Sequence, residues 1–443
     1  MKKKNQKWFL LWIILLLLFS IIAPSAIANQ VNNEVPIDTK QLEVYKDRLL
    51  KYRNDFKNRK IDSSININSN ETVKVIVEFN EEPSAVKQHK ANKQNQAYQA
   101  TEHKEKLKQE RILFKANLAK NAVEVKEGKS FEKVLNGMAL EVKASDVPKL
   151  AADPNVKFVY ENSKLNVIPT LPAQKNVPYM EESSQFIGTD QLWDLGYEGQ
   201  GKKIGVLDTG IDYNHPDLKD AYKGGYDFVD NDGDPFEGND GTQSIDSTHG
   251  THVSGTIAGR GSYENGGIRG IAPKSDLYVY RVLGPNGGWD EWVIAGIEKA
   301  VEDNMDVINL SLGNGINDPD HPTSRAVNNA MLAGVVAVVA NGNDGTFGYK
   351  SVGAPATAAL AISVGASSPP IKESIYKANA SATSEDQKEY TLNWMMKRDP
   401  DPNMMETFMN EQEIVYLGFG TVSDFEGKDL TGKIALIKMG GLY

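Results

Sequence analysis

Three polar side chains in this 443-residue chain follow short apolar or small-residue segments, an arrangement that suits acid–base chemistry. Asp208 ends an apolar run, His249 lies among small residues, and Asn343 follows a second apolar run. A carboxylate can orient an imidazole, the imidazole can take a proton from a nucleophile, and an amide can donate to an oxyanion. Each residue also has an ordinary alternative: a helix cap for Asp208, a structural role for His249, and a turn for Asn343, with Asn341 as a rival on spacing.

The elements that must position these residues read as a parallel α/β sheet. Apolar runs alternate with helical segments, and Asp208 ends one run as residues do at the carboxyl ends of strands in open α/β sheets. The pattern predicts strands at 203–207, 276–282, 307–312, 335–340 and 361–364, and helices at 249–258, 292–304 and 322–333.

An α+β unit precedes this sheet. The order strand, helix, strand pair, short helix, strand predicts a ferredoxin-like fold over 71–162. Its elements fall at 73–79, 85–121 (one long helix), 131–143, 144–152 and 156–161. Residues 29–70 read as a polar linker with a short helix at 41–53. The proline-containing residues 163–182 read as a second linker, where proteolytic maturation is expected. The pattern changes again from about 371, with strands predicted at 414–417 and 433–438.

The amino terminus has the features of a cleaved signal peptide, residues 1–28. Lysines precede an apolar core over 8–22, and a small-x-small pattern ends at Ala28. The alternative is an uncleaved anchor, but the core is shorter than the roughly 20 residues a spanning helix needs. We therefore expect a secreted product with no stable membrane anchor after cleavage. A net charge of −10 argues against nucleic-acid partners, and the absence of cysteine excludes disulfides.

Asp208-Thr-Gly, His249-Gly-Thr-His-Val-Ser-Gly and the position of Asn343 together resemble the motifs of subtilisin-like serine proteases, the subtilases. The resemblance covers about 183–368. It implies a subtilisin-like parallel sheet with helices on both faces, with Asp208 and His249 as catalytic residues and Asn343 as the oxyanion donor. It also implies that two segments flank a peptide substrate and bind its backbone by strand addition, namely Gly287, Gly288 and Trp289 on one side and Ser311, Leu312 and Gly313 on the other.

The flanking segments resemble other parts of secreted subtilases. Residues 71–162 resemble the inhibitor-type propeptide, which makes the chain's own propeptide a partner alongside protein or peptide substrates. Residues 371–443 resemble the start of a protease-associated domain, inserted into a catalytic domain of which 183–370 is the first part. No serine stands in a Gly-Thr-Ser-x-Ala segment, so we assign no nucleophile and expect no activity from this chain alone. The alternatives are a non-catalytic inhibitor or folding assistant of a related protease, and a misfolded remnant.

Metal binding is the least determined property. The resemblance implies no required cofactor and allows calcium, which is common in the family. Asp230, Asp232 and Asp234 have the oxygen spacing of an EF-hand loop, but Gly241 stands where that loop carries a glutamate, so an acidic turn is the alternative. The segment 260–268 is longer than the calcium loop of many subtilases. His249 and His252 lack the glutamate of a zinc motif, so we assign no metal ligands.

Overall fold

The computed structural model describes residues 60–167, 179–238, 247–261 and 268–367, and the short segments 377–380, 390–393, 413–418, 422–425 and 427–436. The predicted signal peptide and the helix at 41–53 lie outside these residues. Within the described ranges, no helix has both the length and the apolar character needed to cross a membrane.

The amino-terminal unit is a four-stranded antiparallel sheet with the strand order β2-β3-β1-β4, as the ferredoxin-like prediction requires. Its strands are β1 (Thr72–Phe79), β2 (Val125–Phe131), β3 (Gly137–Lys143) and β4 (Val156–Glu161). Its helices are α1 (Ser84–Lys93), α2 (Ala100–Lys120) and α3 (Val147–Ala151), with a 3₁₀ turn at Ala144–Asp146. Alternate β1 residues Val75, Val77 and Phe79 pack with Phe114 of α2 in one core.

The single helix predicted over 85–121 is wrong, because the structure has two helices with a break at Asn95. Asn95 adopts a left-handed conformation with φ 54°. Its N–H donates to the carbonyl of Asn92, and the N–H of Gln96 donates to that of Ala91. This is a Schellman ending, in which asparagine can stand where glycine is usual. The absence of glycine and proline from the segment therefore concealed a helix terminus.

The second unit is built on a six-stranded parallel sheet with the order β13-β12-β10-β6-β8-β7. Its strands are β6 (Lys203–Asp208), β7 (Tyr222–Asp227), β8 (Asp276–Arg281), β10 (Val307–Leu310), β12 (Val336–Ala340) and β13 (Ile362–Val364). Its helices are α4 (Tyr179–Phe186), α5 (Thr189–Asp194), α6 (His249–Ala258), α7 (Asp290–Glu302) and α8 (Pro322–Leu332), and a 3₁₀ turn spans Asp344–Phe347. The predicted α/β fold is confirmed, whereas β7 was not predicted.

A small three-stranded sheet joins the two units. Strand β5 (Lys164–Val167) lies between β9 (Gly288–Trp289) and β11 (Leu312–Gly313) and is antiparallel to both. The range 163–182, predicted as a linker, contains β5 at Lys164–Val167 and the start of α4 at Tyr179. Pairing with β9 and β11 makes β5 a strand, which its own short sequence did not predict.

Short elements follow the parallel sheet. They are β14 (Lys377–Ala380) with β15 (Tyr390–Asn393), β16 (Ile414–Tyr416) with β17 (Ile434–Leu436), and α9 (Val422–Phe425). The strands predicted near 414 and 433 are present. Their assignment to a protease-associated domain stays a prediction.

Candidate active site

Asp208 and His249 form a buried hydrogen-bonded pair at the carboxyl edge of the parallel sheet. Asp208 is the last residue of β6, and His249 is the first residue of α6. His249 Nδ1 lies 2.7 Å from Asp208 Oδ1, with Asp208 fully buried and His249 only 7% exposed. A proton on Nδ1 donates to this carboxylate and leaves Nε2 as the basic nitrogen. The two residues paired from sequence motifs are therefore brought together in the geometry of an oriented base.

Glycines allow the chain to approach itself this closely. Gly210, two residues after Asp208, has φ +118°, a conformation that other residues rarely adopt. A Cβ at Gly250 would lie 2.1 Å from the Gly210 carbonyl oxygen, so helix α6 can begin here only because Gly250 has no side chain. The small residues around His249 are thus required by packing.

Glu237, which the sequence reasoning missed, caps the start of α6. It is 1% exposed and lies in the loop after β7. Its Oε1 accepts the Gly250 N–H at 2.9 Å, and its Oε2 accepts the Thr251 N–H at 2.7 Å. Its Oε1 also makes a short contact with Thr209 Oγ1. A glutamate in a polar loop carries no periodic signal, so the sequence pattern alone could not have identified this role.

Arg281 and Asp227 form a buried ion pair next to the end of β6. Arg281, the last residue of β8, donates from Nη1 to Asp227 at 2.6 Å and to Asp230 at 2.5 Å, and from Nε to the Thr209 carbonyl at 3.2 Å. Burial raises the pKa of Asp227, while hydrogen bonds from the Asp230 N–H and from Arg281 act in the opposite direction.

The candidate calcium loop is partly engaged in this ion pair. Asp230 pairs with Arg281, and Asp232 accepts the backbone N–H of Asp234. The part of the chain that the structure describes contains no group of three or more histidine or acidic side chains arranged to hold a metal. Calcium binding therefore stays a prediction.

Asn343 follows β12 and is exposed at the start of the 3₁₀ turn. Because β10 separates β12 from β6, two interstrand spacings, about 10 Å, lie between the end of β12, which Asn343 follows, and the end of β6 at Asp208. Its rival Asn341 donates its backbone N–H to the Val364 carbonyl. The oxyanion role of Asn343 stays a prediction.

The two segments expected to flank a peptide substrate lie on either side of β5, a strand of this chain, and their role in binding substrate stays a prediction. In β5, Lys164 pairs with Trp289 and Leu165 with Gly288 on one side, and the other side pairs with Leu312 and Gly313. The side chain of Leu165 is fully buried. Gly287 lets β5 lie this close, because a Cβ at this position would lie 2.4 Å from the Leu165 carbonyl oxygen.

Ser311, which belongs to the same predicted set, lies between β10 and β11. Its Oγ accepts a hydrogen bond from Asn309 Nδ2 at 3.0 Å. Ser254 is fully buried in α6. Neither serine was assigned as a nucleophile from the sequence, and these placements give no reason to change that.

Carboxylates of α7 receive backbone N–H groups of the amino-terminal unit. Asp290 accepts the Ser163 N–H at 2.7 Å, and Glu291 accepts the Lys129 N–H at 3.1 Å. Glu298 accepts three successive N–H groups, those of Glu132, Lys133 and Val134. Burial raises the pKa of Glu298 to about 7, despite these three hydrogen bonds.

Comparison with known families agrees with this architecture. Residues 199–401 match the subtilase family (Peptidase S8), and residues 74–167 match the peptidase inhibitor I9 family. The chain therefore contains a subtilase-family domain, preceded by an I9 inhibitor-type propeptide domain.

Individual relatives cover different parts of the chain. The minor extracellular protease Vpr of Bacillus subtilis is 40% identical over 399 residues, which are 88% of this chain and 46% of Vpr. The major intracellular serine protease of the same organism is 42% identical over 42% of this chain and 56% of its own length. Subtilisin E is 38% identical over 53% of this chain and 56% of its own length. The chain thus spans about half the length of these curated relatives.

Proposed function

We propose that this chain supplies the propeptide and the aspartate–histidine part of the active site of a secreted serine endopeptidase. The observation that carries the proposal is the seating of β5 between β9 and β11. Strand β9 follows β8, and strand β11 follows β10. Strands β8 and β10 flank β6, the strand that ends in Asp208. An extended peptide therefore lies across the same sheet edge as the Asp208–His249 pair. Strand addition of this kind binds backbone and tolerates varied side chains, as an endopeptidase cleft must.

The chemistry would be acyl transfer. His249 accepts the proton of a serine nucleophile through Nε2 and later returns it to the leaving amine, while Asp208 fixes the tautomer and orientation of the imidazole. Asn343 donates to the oxyanion. We propose that the nucleophile is not among the serines of this chain, because none stands in a Gly-Thr-Ser-x-Ala segment, and that the chain alone does not hydrolyse peptides.

The I9 domain would act as a built-in inhibitor until it is removed. Its β5 occupies the cleft, and the N–H of Lys129 in its strand β2 donates to Glu291 of α7. Cleavage after β5, within the sequence up to residue 182, would detach the domain and open the cleft to other peptides. Secretion fits the lysine-rich, apolar amino terminus and the extracellular location in the name of Vpr. Deleting residues 2–28 should keep the protein inside an expressing Bacillus cell; export of the deletion variant would contradict this part.

A chimera tests the catalytic proposal. This chain is joined at its carboxyl end to the part of Vpr beyond the 399 matched residues, and the product is assayed with a fluorogenic peptide and a fluorophosphonate probe. We expect hydrolysis and one labelled serine, with activity abolished in His249→Ala and reduced about 10⁴-fold in Asp208→Asn. The 443-residue chain alone should take up no probe.

Two outcomes would contradict the proposal. One is a folded, propeptide-free chimera that neither hydrolyses peptide nor takes up the probe, while Vpr prepared in the same way does both. The other is a specific fluorophosphonate adduct on a serine of the 443-residue chain, which would overturn the assignment of the nucleophile outside it.

A second candidate function, inhibition of another protease in trans, is favoured by the I9 match alone. Residues 60–167 would then block Vpr at low concentration. If a folded preparation of these residues leaves Vpr fully active, this candidate is eliminated.

A further inference from the structure

We propose that Glu237 is a positioning residue for the Asp208–His249 pair, acting through His249 without touching substrate. Its meaning for catalysis rests on the proposed function. The placement itself rests on contacts with the two residues that follow His249 and with the residue that follows Asp208.

The first set of contacts fixes the position of His249, the proposed base. Glu237 accepts the N–H groups of Gly250 and Thr251, which would otherwise have no partner inside the helix because they lie in its first turn. A carboxylate is also the favoured charge at the positive end of a helix. Both oxygens are used, so the carboxylate can neither rotate nor shift without losing a hydrogen bond. His249 is one residue before Gly250, so the same two hydrogen bonds hold it in place.

The second contact fixes the position of Asp208. Thr209 Oγ1 lies 3.2 Å from Asp208 Oδ1 and closer to Glu237 Oε1, and its single proton goes to the closer acceptor. The same hydroxyl accepts the Gly250 N–H at 2.9 Å. Asp208 Oδ1 is then left with two N–H donors, Thr209 N at 2.8 Å and His249 Nδ1 at 2.7 Å. Glu237 thus connects the end of β6 to the start of α6.

The charge of Glu237 lies at the amino-terminal end of α6. Among the charged and titratable groups that the structure describes on the neighbouring elements, Asp208 ends β6, Arg281 ends β8 and His252 lies on α6 itself. The positive charge of Arg281 is already taken by two aspartates. The negative charge of Glu237 therefore offsets the positive end of the α6 dipole where the helix begins.

Histidine NMR on the full 443-residue chain tests this directly. The chain has six histidines, and the loss of one signal in His249→Ala assigns the imidazole of interest. In Glu237→Gln we expect the Nδ1 proton of His249 to exchange with water roughly tenfold faster, as the loss of one net hydrogen bond predicts.

Glu110→Gln is the matched control. Glu110 is a buried carboxylate of the propeptide that accepts the N–H groups of Asn80 and Glu81 and one from Asn136 Nδ2. Its loss should lower overall stability and leave the His249 signals unchanged. If Glu237→Gln does not fold, Glu237→Asp keeps the charge with a shorter reach. It should also speed the exchange.

The proposal is overturned if either Glu237 variant keeps the wild-type exchange rate, or if Glu110→Gln changes the His249 signals to the same extent. Because the measurement reads His249 itself, it remains informative whether or not the chimera hydrolyses peptides. A failure of the proposed function is therefore distinguishable from a failure of this inference.

Discussion

Glu78 is the propeptide side chain whose removal should most directly loosen docking onto the subtilase domain. It lies on β1, is 3% exposed, and accepts hydrogen bonds from Tyr160 Oη, Lys157 Nζ and Arg325 Nη2, each at 2.8 Å. Arg325 belongs to α8, so this contact crosses between the two domains. Burial, followed by the charge of Glu78, raises the pKa of Tyr160, so its hydroxyl remains a donor.

The cost of Glu78→Gln follows from these contacts. The Lys157 side chain is 44% exposed, so its ion pair adds little, whereas the Arg325 side chain is 26% exposed. Removing one partner of a buried ion pair costs about 3–5 kcal/mol. Partial exposure of Arg325 favours the lower end, about 3 kcal/mol, which corresponds to about a 100-fold larger undocked population because 1.4 kcal/mol is a factor of ten.

Hydrogen exchange measures this population in the intact chain. Amide protons of β4 and β5 should exchange about 100-fold faster in Glu78→Gln than in the wild type. Glu102→Gln, which removes an exposed helix ion pair with Lys106, should leave this exchange unchanged. The double variant with Arg325→Met tests the coupling. If the two substitutions add within about 0.5 kcal/mol, Glu78 and Arg325 do not stabilise docking as a pair and the reasoning is refuted.

Three further predictions concern the same interface. Gly287→Ala should displace β5 and speed its amide exchange, because the new Cβ meets the Leu165 carbonyl at 2.4 Å, whereas Gly201→Ala, also at positive φ but in open space, should not; equal effects would contradict this. The pKa of Glu298 rises from 4.5 to about 7 in the folded state, so its contribution to the free energy of unfolding is full below pH about 4.5 and is lost as the pH rises through about 7. Urea titrations at different pH should show this loss of stability, and its persistence in Glu298→Gln would exclude Glu298 as the source. Burial lowers the pKa of His321 from 6.5 to about 4, so the unfolded chain binds its proton first and stability falls as the pH drops through this window; NMR should find its imidazole neutral at about pH 5.5, and a charged imidazole there would contradict the prediction.

The sequence predicted best where a segment carries its own pattern. Helix α6 begins and ends at the predicted residues 249 and 258, and five of the six parallel strands lie within two residues of their predicted ends. These strands read as continuous apolar runs, as strands of parallel sheets do, although the three residues of β13 are exposed. The Asp208–His249 contact was likewise predictable, because both residues stand in specific motifs.

The elements that sequence reasoning missed depend on partners elsewhere in the chain. Strand β7 contains Gly224 and Gly225 and lacks an apolar run, yet it pairs with β8. Strand β5 exists because β9 and β11 pair with it. Glu237 acquires its role only when the loop after β7 reaches the start of α6. Asn95 ends a helix through a backbone conformation that composition does not encode.

The covalent continuity of β5 with the subtilase domain determines how its binding depends on protein concentration. A strand on the same polypeptide as its pairing partners β9 and β11 meets them at an effective concentration of about the millimolar range, whatever the amount of protein. Diluting the uncut chain therefore leaves the cleft occupied. A single cut between residues 167 and 179 would make rebinding bimolecular, so the occupied fraction would then fall with dilution. The position of one peptide bond would thus decide whether the cleft responds to the protein's own concentration.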